Sequence, residues 1–239
     1  MGYALVGLSL VFLITVVLLV HEAGHYAVAK LVGAPLVSVR IGVGPQLWRW
    51  SDADGVEWRV GALPVIAWVR LCASARDTLA PTRRLAIVLG GPVASVVFGV
   101  FLLAVHGGAL SVLAGDTAGA GVGDGLRMSF AVLAGMVLDF LDLLARVLTG
   151  SGLDVVRPVV APVAGGSGAL LLVLMAGVMS LGVGAFNLLP LPWFDGGQAL
   201  ATTVELVAGR RVAAVVEEVM LWIALVGLFV VFVLWPASP

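Results

Sequence analysis

The chain has 239 residues, of which 61% are hydrophobic and only 11% charged, less than half the charged share of about 25% that soluble domains carry. That composition excludes an ordinary soluble globular protein, and a formal net charge of -1 offers no basic face for nucleic acid. The single cysteine, Cys72, rules out an internal disulfide and a cysteine-built metal cluster, so any metal must be held by histidines and carboxylates.

Met1 to Val20 is free of charge and about as long as a bilayer core of ~30 Å requires, which predicts a first spanning helix running on to about residue 30. Ala27-Val28-Ala29 imitates a signal-peptide cleavage site, but no Lys or Arg precedes the apolar run, and the spanning helix is the reading adopted. A β-unit is expected next, at about 37–71. Val39 to Trp50 and Val56 to Leu71 are rich in Val, Ile and Trp, and they flank Ser51-Asp52-Ala53-Asp54-Gly55, whose Asp-Gly pair signals a hairpin turn. Four tryptophans, Trp48, Trp50, Trp58 and Trp68, fall in this unit. They suit a sheet at the membrane interface, although an ordinary surface hairpin would show the same local pattern.

Leu85 to Val105 forms the second uncharged span. The connection from His106 to Gly125 is rich in Gly and Ala, and His106, at the end of the span, is read as an interfacial residue without a role. In the segment 126–149, Asp139, Asp142 and Arg146 are spaced by three and four residues, which predicts an amphipathic helix lying at the interface, with a fifth span as the alternative. Spans three and four are expected at about 168–190 and 213–235. Eight of the thirteen positive charges lie between the first two spans. By the positive-inside rule that segment faces the cytoplasm, as do Arg210 and Arg211, with both termini outside. The fold expected is therefore an all-α polytopic membrane protein, one domain over 1–239, with four transmembrane helices, a small membrane-associated β-hairpin unit and an amphipathic interfacial helix.

Chemistry is concentrated in two places. His21-Glu22-Ala23-Gly24-His25 is an H-E-x-x-H motif directly after the uncharged run, and on a helix the two histidines project from one face and can share a metal, with Glu22 beside it. Only three histidines occur in the chain, and ionisable groups within a span each cost roughly 2.5–3.5 kcal/mol, so the motif is read as a metal site. Two histidines leave a catalytic zinc one protein ligand short. Asp195 is the best candidate for that ligand, in the segment Asn187-Leu188-Leu189-Pro190-Leu191-Pro192-Trp193-Phe194-Asp195-Gly196-Gly197. Pro190 and Pro192 break the helix there, and a helix that simply ends in a Pro- and Gly-rich turn capped by a solvated Asp195 is the plain alternative. Glu205 is the residue to weigh if the third ligand is a glutamate.

These residues resemble the site-2 protease family of intramembrane zinc metalloproteases, especially bacterial members acting in envelope stress signalling. The likeness rests on H-E-x-x-H in the first span, Gly42-Val43-Gly44-Pro45 and Ala62-Leu63-Pro64 in the hairpin region, Gly90-Gly91-Pro92 in the second span, and N-x-x-P-x-P-x-x-D-G-G from Asn187 to Gly197. The resemblance implies zinc on His21, His25 and Asp195, with Glu22 as general base. It implies substrate contacts at Asn187, at Gly42, Val43 and Gly44, and at Pro190 and Pro192, with the substrate added as a strand to the β-unit. It further implies a bacterial inner-membrane enzyme, its active site toward the cytoplasm, cutting within or near the transmembrane helix of membrane-protein substrates. Phe194 stands where the family commonly has Leu, Ser95 stands where it has Asn, and the 106–125 connection is too short for the PDZ domains of many relatives. A catalytically silent membrane chaperone has no need of Glu22, and a metal transporter would repeat polar ligands along several spans.

Overall fold

A computed structural model of the chain describes residues 2–113, 120–149 and 168–229. In order these form α1 (Gly2–Leu31), β1 (Leu36–Ser51), β2 (Glu57–Leu71), α2 (Ala75–Thr78), α3 (Pro81–Leu113), α4 (Ala120–Thr149), α5 (Gly168–Asn187), α6 (Asp195–Ala208) and α7 (Arg210–Phe229). Among the described residues, four helices are long and apolar enough to cross a membrane: Gly7–Leu31, Pro81–Leu113, Gly168–Asn187 and Arg210–Phe229. They coincide with the four expected spans, except that residues 230–235 of the last lie outside the described residues. The chain divides into two units, residues 1–20 with 94–185 and residues 21–93 with 186–239.

The first unit is helix packed on helix through small residues. Leu103, Val132, Leu174 and Leu181 form its buried core, drawing on α3, α4 and α5. Lipid tails are as apolar as leucine, so such helices gain by close packing, and glycine is what permits it. A methyl on Gly99 would meet the Gly177 carbonyl oxygen at 2.9 Å and the Leu181 side chain at 2.7 Å. Between α3 and α4 the contact is tighter still. Gly107 meets Gly121 and Leu103 meets Gly125, so α4 runs antiparallel to α3, and Ser129 returns its hydroxyl hydrogen bond to the Gly125 carbonyl.

The amphipathic helix expected over 126–149 thus begins six residues earlier, and its first turns are packed along a helix of spanning length. The amphipathic pattern rests on Asp139, Asp142 and Arg146, whereas the buried stripe, Gly121, Gly125, Ser129 and Val132, lies toward the other end. His106 also differs from expectation. It is 2% exposed, inside α3, and its Nδ1 donates to the Leu170 carbonyl 3.1 Å away. Ser95 is fully buried, and its carbonyl accepts the Ser180 hydroxyl at 2.8 Å.

In the second unit the two strands form an antiparallel hairpin, closed by a turn that Asp52 organises by accepting from the amides of Asp54 and Val56. The expected hairpin is present, but it is folded further. Ser38, Val39, Arg40 and Ile41 each have one partner among Glu57–Val60 and another among Ala67–Arg70, so the first half of β1 lies between the two halves of β2. The fold-over happens at Gly42 and Gly44, with φ of 84° and 83°, a region costly to any residue with a Cβ. A methyl on Gly61 would meet the Val43 carbonyl at 2.7 Å, so the strands cross backbone to backbone there. One consequence matters for the site: Ala67–Leu71 becomes a free edge of the sheet. The turn is tied back to α1, because Tyr26 donates to Asp52 at 2.7 Å, Lys30 pairs with Asp54, and the Trp58 ring packs edge-on against Tyr26.

Candidate metal centre

An α-helix places residues i and i+4 one above the other, and the His21 and His25 rings accordingly stand edge to face with centroids 4.9 Å apart. Their Nε2 atoms are 3.2 Å apart. The neighbouring helix α3 fixes the outer ring. His25 Nδ1 donates to the Ile87 carbonyl at 2.8 Å, which commits the proton to Nδ1 and leaves the Nε2 lone pair facing the site. Two glycines of α3 make that approach possible. A methyl on Gly90 would meet the Gly24 carbonyl oxygen of α1 at 2.7 Å, and one on Gly91 would overlap the His25 ring itself.

The third group arrives from the segment after α5. That helix ends at Asn187, residues 188–194 form tight turns, and α6 begins on Asp195, where a carboxylate is favoured by the helix N-terminus. Gly196 and Gly197 are needed because the carbonyls of Leu188 and Leu191 rest directly on them, leaving no room for a side chain. Asp195 is not a solvated cap. Its side chain is 13% exposed, and its Oδ2 lies 3.0 Å from His21 Nε2 and 3.2 Å from His25 Nε2. Burial raises its carboxyl pKa, but hydrogen bonding and charge from His21 and His25 outweigh that and hold it below its ordinary value.

Two imidazole nitrogens and a carboxylate oxygen therefore form a triangle with edges of 3.0–3.2 Å. Tetrahedral zinc with bonds of ~2.0–2.1 Å to N and O ligands has edges of roughly 3.3–3.4 Å, so the donor set and its spacing fit that ion. Glu22 stands in the same buried group, its ligand atom within 4.8 Å of those of His21 and His25. The Val69 backbone faces its carboxylate.

A cavity of about 300 Å³ opens on these groups, lined by His21, Glu22, His25 and Asp195 together with Asn187, Trp193, Gln198, Arg84 and the sheet edge at Ala67, Trp68, Val69 and Leu71. Of the sequence-derived substrate residues, Asn187 is on the cavity wall. Pro190 and Pro192 lie in the turn that delivers Asp195, while Gly42, Val43 and Gly44 form the bend of the sheet and do not line the cavity. Glu205 is 2.8 Å from Arg84 in an ion pair and lies outside the cavity lining. The sequence does not say which edge of the β-unit meets the cavity, and it gives no role to Ile87 or to Gly91, although Gly91 belongs to the Gly90-Gly91-Pro92 motif. The Gly90-Gly91 doublet inside an apolar span is the local signal of the close helix approach in which both take part.

The profile of Peptidase family M50 matches residues 9–234, and the chain belongs to that family, the site-2 proteases. The chain is 36% identical over 80 residues to Metalloprotease MmpA of Caulobacter vibrioides (34% of this chain, 20% of the relative). It is 30% identical over 105 residues to Regulator of sigma-E protease RseP of Escherichia coli (39% and 23%). A Rhizobium meliloti protein named as a zinc metalloprotease is 30% identical over 119 residues (41% and 32%). The matched segments span less than a third of the length of each of these relatives.

Proposed function

We propose that the protein is an intramembrane zinc endopeptidase that cuts peptide bonds within or near the transmembrane helix of membrane-protein substrates, in regulated intramembrane proteolysis. The observation that carries this reading is the triangle of His21, His25 and Asp195 beside Glu22, under a sheet edge. His21, His25 and Asp195 would hold the ion. Zinc bound there supplies a Lewis acid for the scissile carbonyl and acidity for a water molecule. Glu22 takes the proton of the attacking water and returns it to the leaving amine, the role of a general base that then acts as acid.

A substrate helix hides its amides in its own hydrogen bonds, so it must unwind locally before it can be cut, and the exposed strand needs new partners. The Ala67–Leu71 edge supplies them by strand addition. Since the Val69 backbone is directed at Glu22 and directions alternate along a strand, Ala67, Val69 and Leu71 present their backbone groups to the substrate. Asn187, which lines the same cavity, contributes a side-chain amide to it. Gly42, Val43 and Gly44 serve the substrate indirectly, by folding β1 so that this edge is free, and Pro190 and Pro192 by shaping the approach to Asp195. With the basic segment between the first two spans in the cytoplasm, the site opens toward that side of a bacterial inner membrane.

The experiment is cleavage of a transmembrane substrate in detergent by purified wild type and Glu22→Gln, with substrates whose helix is intact or weakened by Gly near the cut. Cleavage by wild type alone, faster for the weakened helix, supports the reading. Equal cleavage by Glu22→Gln would remove the general base.

A further inference from the structure

Arg84 and Glu205 occupy a special place relative to the metal ligands. Arg84 is on α3 one turn before Ile87, the residue whose carbonyl orients His25, and positions three apart share a helix face. Glu205 is on α6, whose first residue is Asp195, and Asp195, Gln198, Thr202 and Glu205 are spaced three, four and three apart along one face. The two side chains meet at 2.8 Å, each only 12% exposed. Arg84 and Gln198 line both the metal-site cavity and a second cavity of about 290 Å³ that holds Glu205, so the ion pair stands at the wall between the two. Arg210 is also near Glu205, but at 3.7 Å and 53% exposed.

The two imidazoles are held by α1 and α3, whereas the carboxylate comes on the end of a separate helix that follows a run of tight turns. A site closed by a ligand from another element is only as well formed as the contact between the elements. We infer that the Arg84–Glu205 pair is a positioning device for the metal site, clamping the helix of Asp195 onto the helix that orients His25. Neither residue touches the ion. Their effect is on how closely the Asp195 carboxylate is held against the two imidazoles. The inference rests on the metal-site reading above, and it concerns residues to which that reading gives no role.

The test is zinc affinity, measured by competition with a metal-buffering chelator on purified protein, with size-exclusion profile and helical circular dichroism recorded for each variant. Arg84→Gln and Glu205→Gln are each expected to weaken zinc binding by roughly 10- to 100-fold, the usual effect of removing a partner that orients a ligand. Arg84→Lys, which keeps the charge, is expected to recover most of the loss, and Arg210→Gln to stay within about twofold of wild type because an exposed, distant pair contributes little. If Arg84→Gln does not yield homogeneous protein, Glu205→Gln and Arg84→Lys decide the matter. Wild-type affinity in Glu205→Gln, or a loss in Arg84→Gln without one in Glu205→Gln, would overturn the inference. Wild type binding zinc no better than His21→Ala would instead overturn the metal-site reading on which it rests.

Discussion

Two helix contacts in this molecule use glycine in the same way for opposite ends. In the first unit, Gly99 and Gly177 bring α3 and α5 together so that Leu103 and Leu181 fill the space between them. In the second, Gly90 brings the backbones of α1 and α3 together, but the space beside Gly91 is filled by an imidazole, whose Nδ1 proton is taken up by a backbone carbonyl. Close packing without a side chain is the general means of joining helices in lipid. The difference shows that the candidate metal site is packed by the same rule, with a polar group set where a leucine would otherwise sit.

The largest effects should come from the polar groups themselves. His21→Ala, His25→Ala and Asp195→Ala are each expected to abolish proteolysis and lower bound metal, since each removes one of three protein ligands, while Glu22→Gln should keep the metal and lose at least 10²-fold in cleavage rate. Metal content and turnover measured on the same preparations separate the two outcomes.

Gly91→Ala should displace the His25 ring and reduce zinc affinity at least tenfold in a folded protein. Gly177→Ala should cost about 1–3 kcal/mol of stability by overpacking and leave zinc affinity as it was. If both variants lost stability and neither lost metal, the two contacts would be alike and the distinction would fail.

A smaller effect is expected at the sheet edge. Val69→Pro removes the amide directed at Glu22 without altering a ligand, and should slow cleavage about tenfold at unchanged metal content. Unchanged kinetics would argue against strand addition on this edge.

The smallest effect concerns the tie between hairpin and α1. Tyr26 hydrogen bonding and the turn amides hold the Asp52 carboxyl at about 2, against an ordinary 3.8. Because its folded value lies below its unfolded one, its contribution is fully present above about pH 4 and is lost as the pH falls toward 2. Trp fluorescence of the hairpin should change over that window in wild type and not in Asp52→Asn.

Much of the candidate site was legible in the sequence because its signals are local. H-E-x-x-H states its own geometry once it is on a helix, and the proline pair followed by Asp-Gly-Gly marks a broken helix with a carboxylate at the restart. The spans were legible from length and lack of charge. What was hidden depends on partners distant in sequence. The hairpin pattern announced two strands, but nothing local says that Gly42 and Gly44 fold β1 until Ala67–Leu71 is the edge that meets the cavity. Arg84 looked like one of many basic residues, and Glu205 like a possible ligand, until their pairing made each the other's partner. The small residues before Arg127 marked only a loop, since their value lies in contact with Gly107 and Leu103 of another helix.

Metal analysis of purified wild type beside His21→Ala, Asp195→Ala and Glu22→Gln decides whether His21, His25 and Asp195 together hold one zinc while Glu22 does not. About one zinc per chain is expected in wild type and in Glu22→Gln, and a clear loss in the other two. Full zinc in Asp195→Ala, or loss of zinc in Glu22→Gln alone, would contradict that assignment.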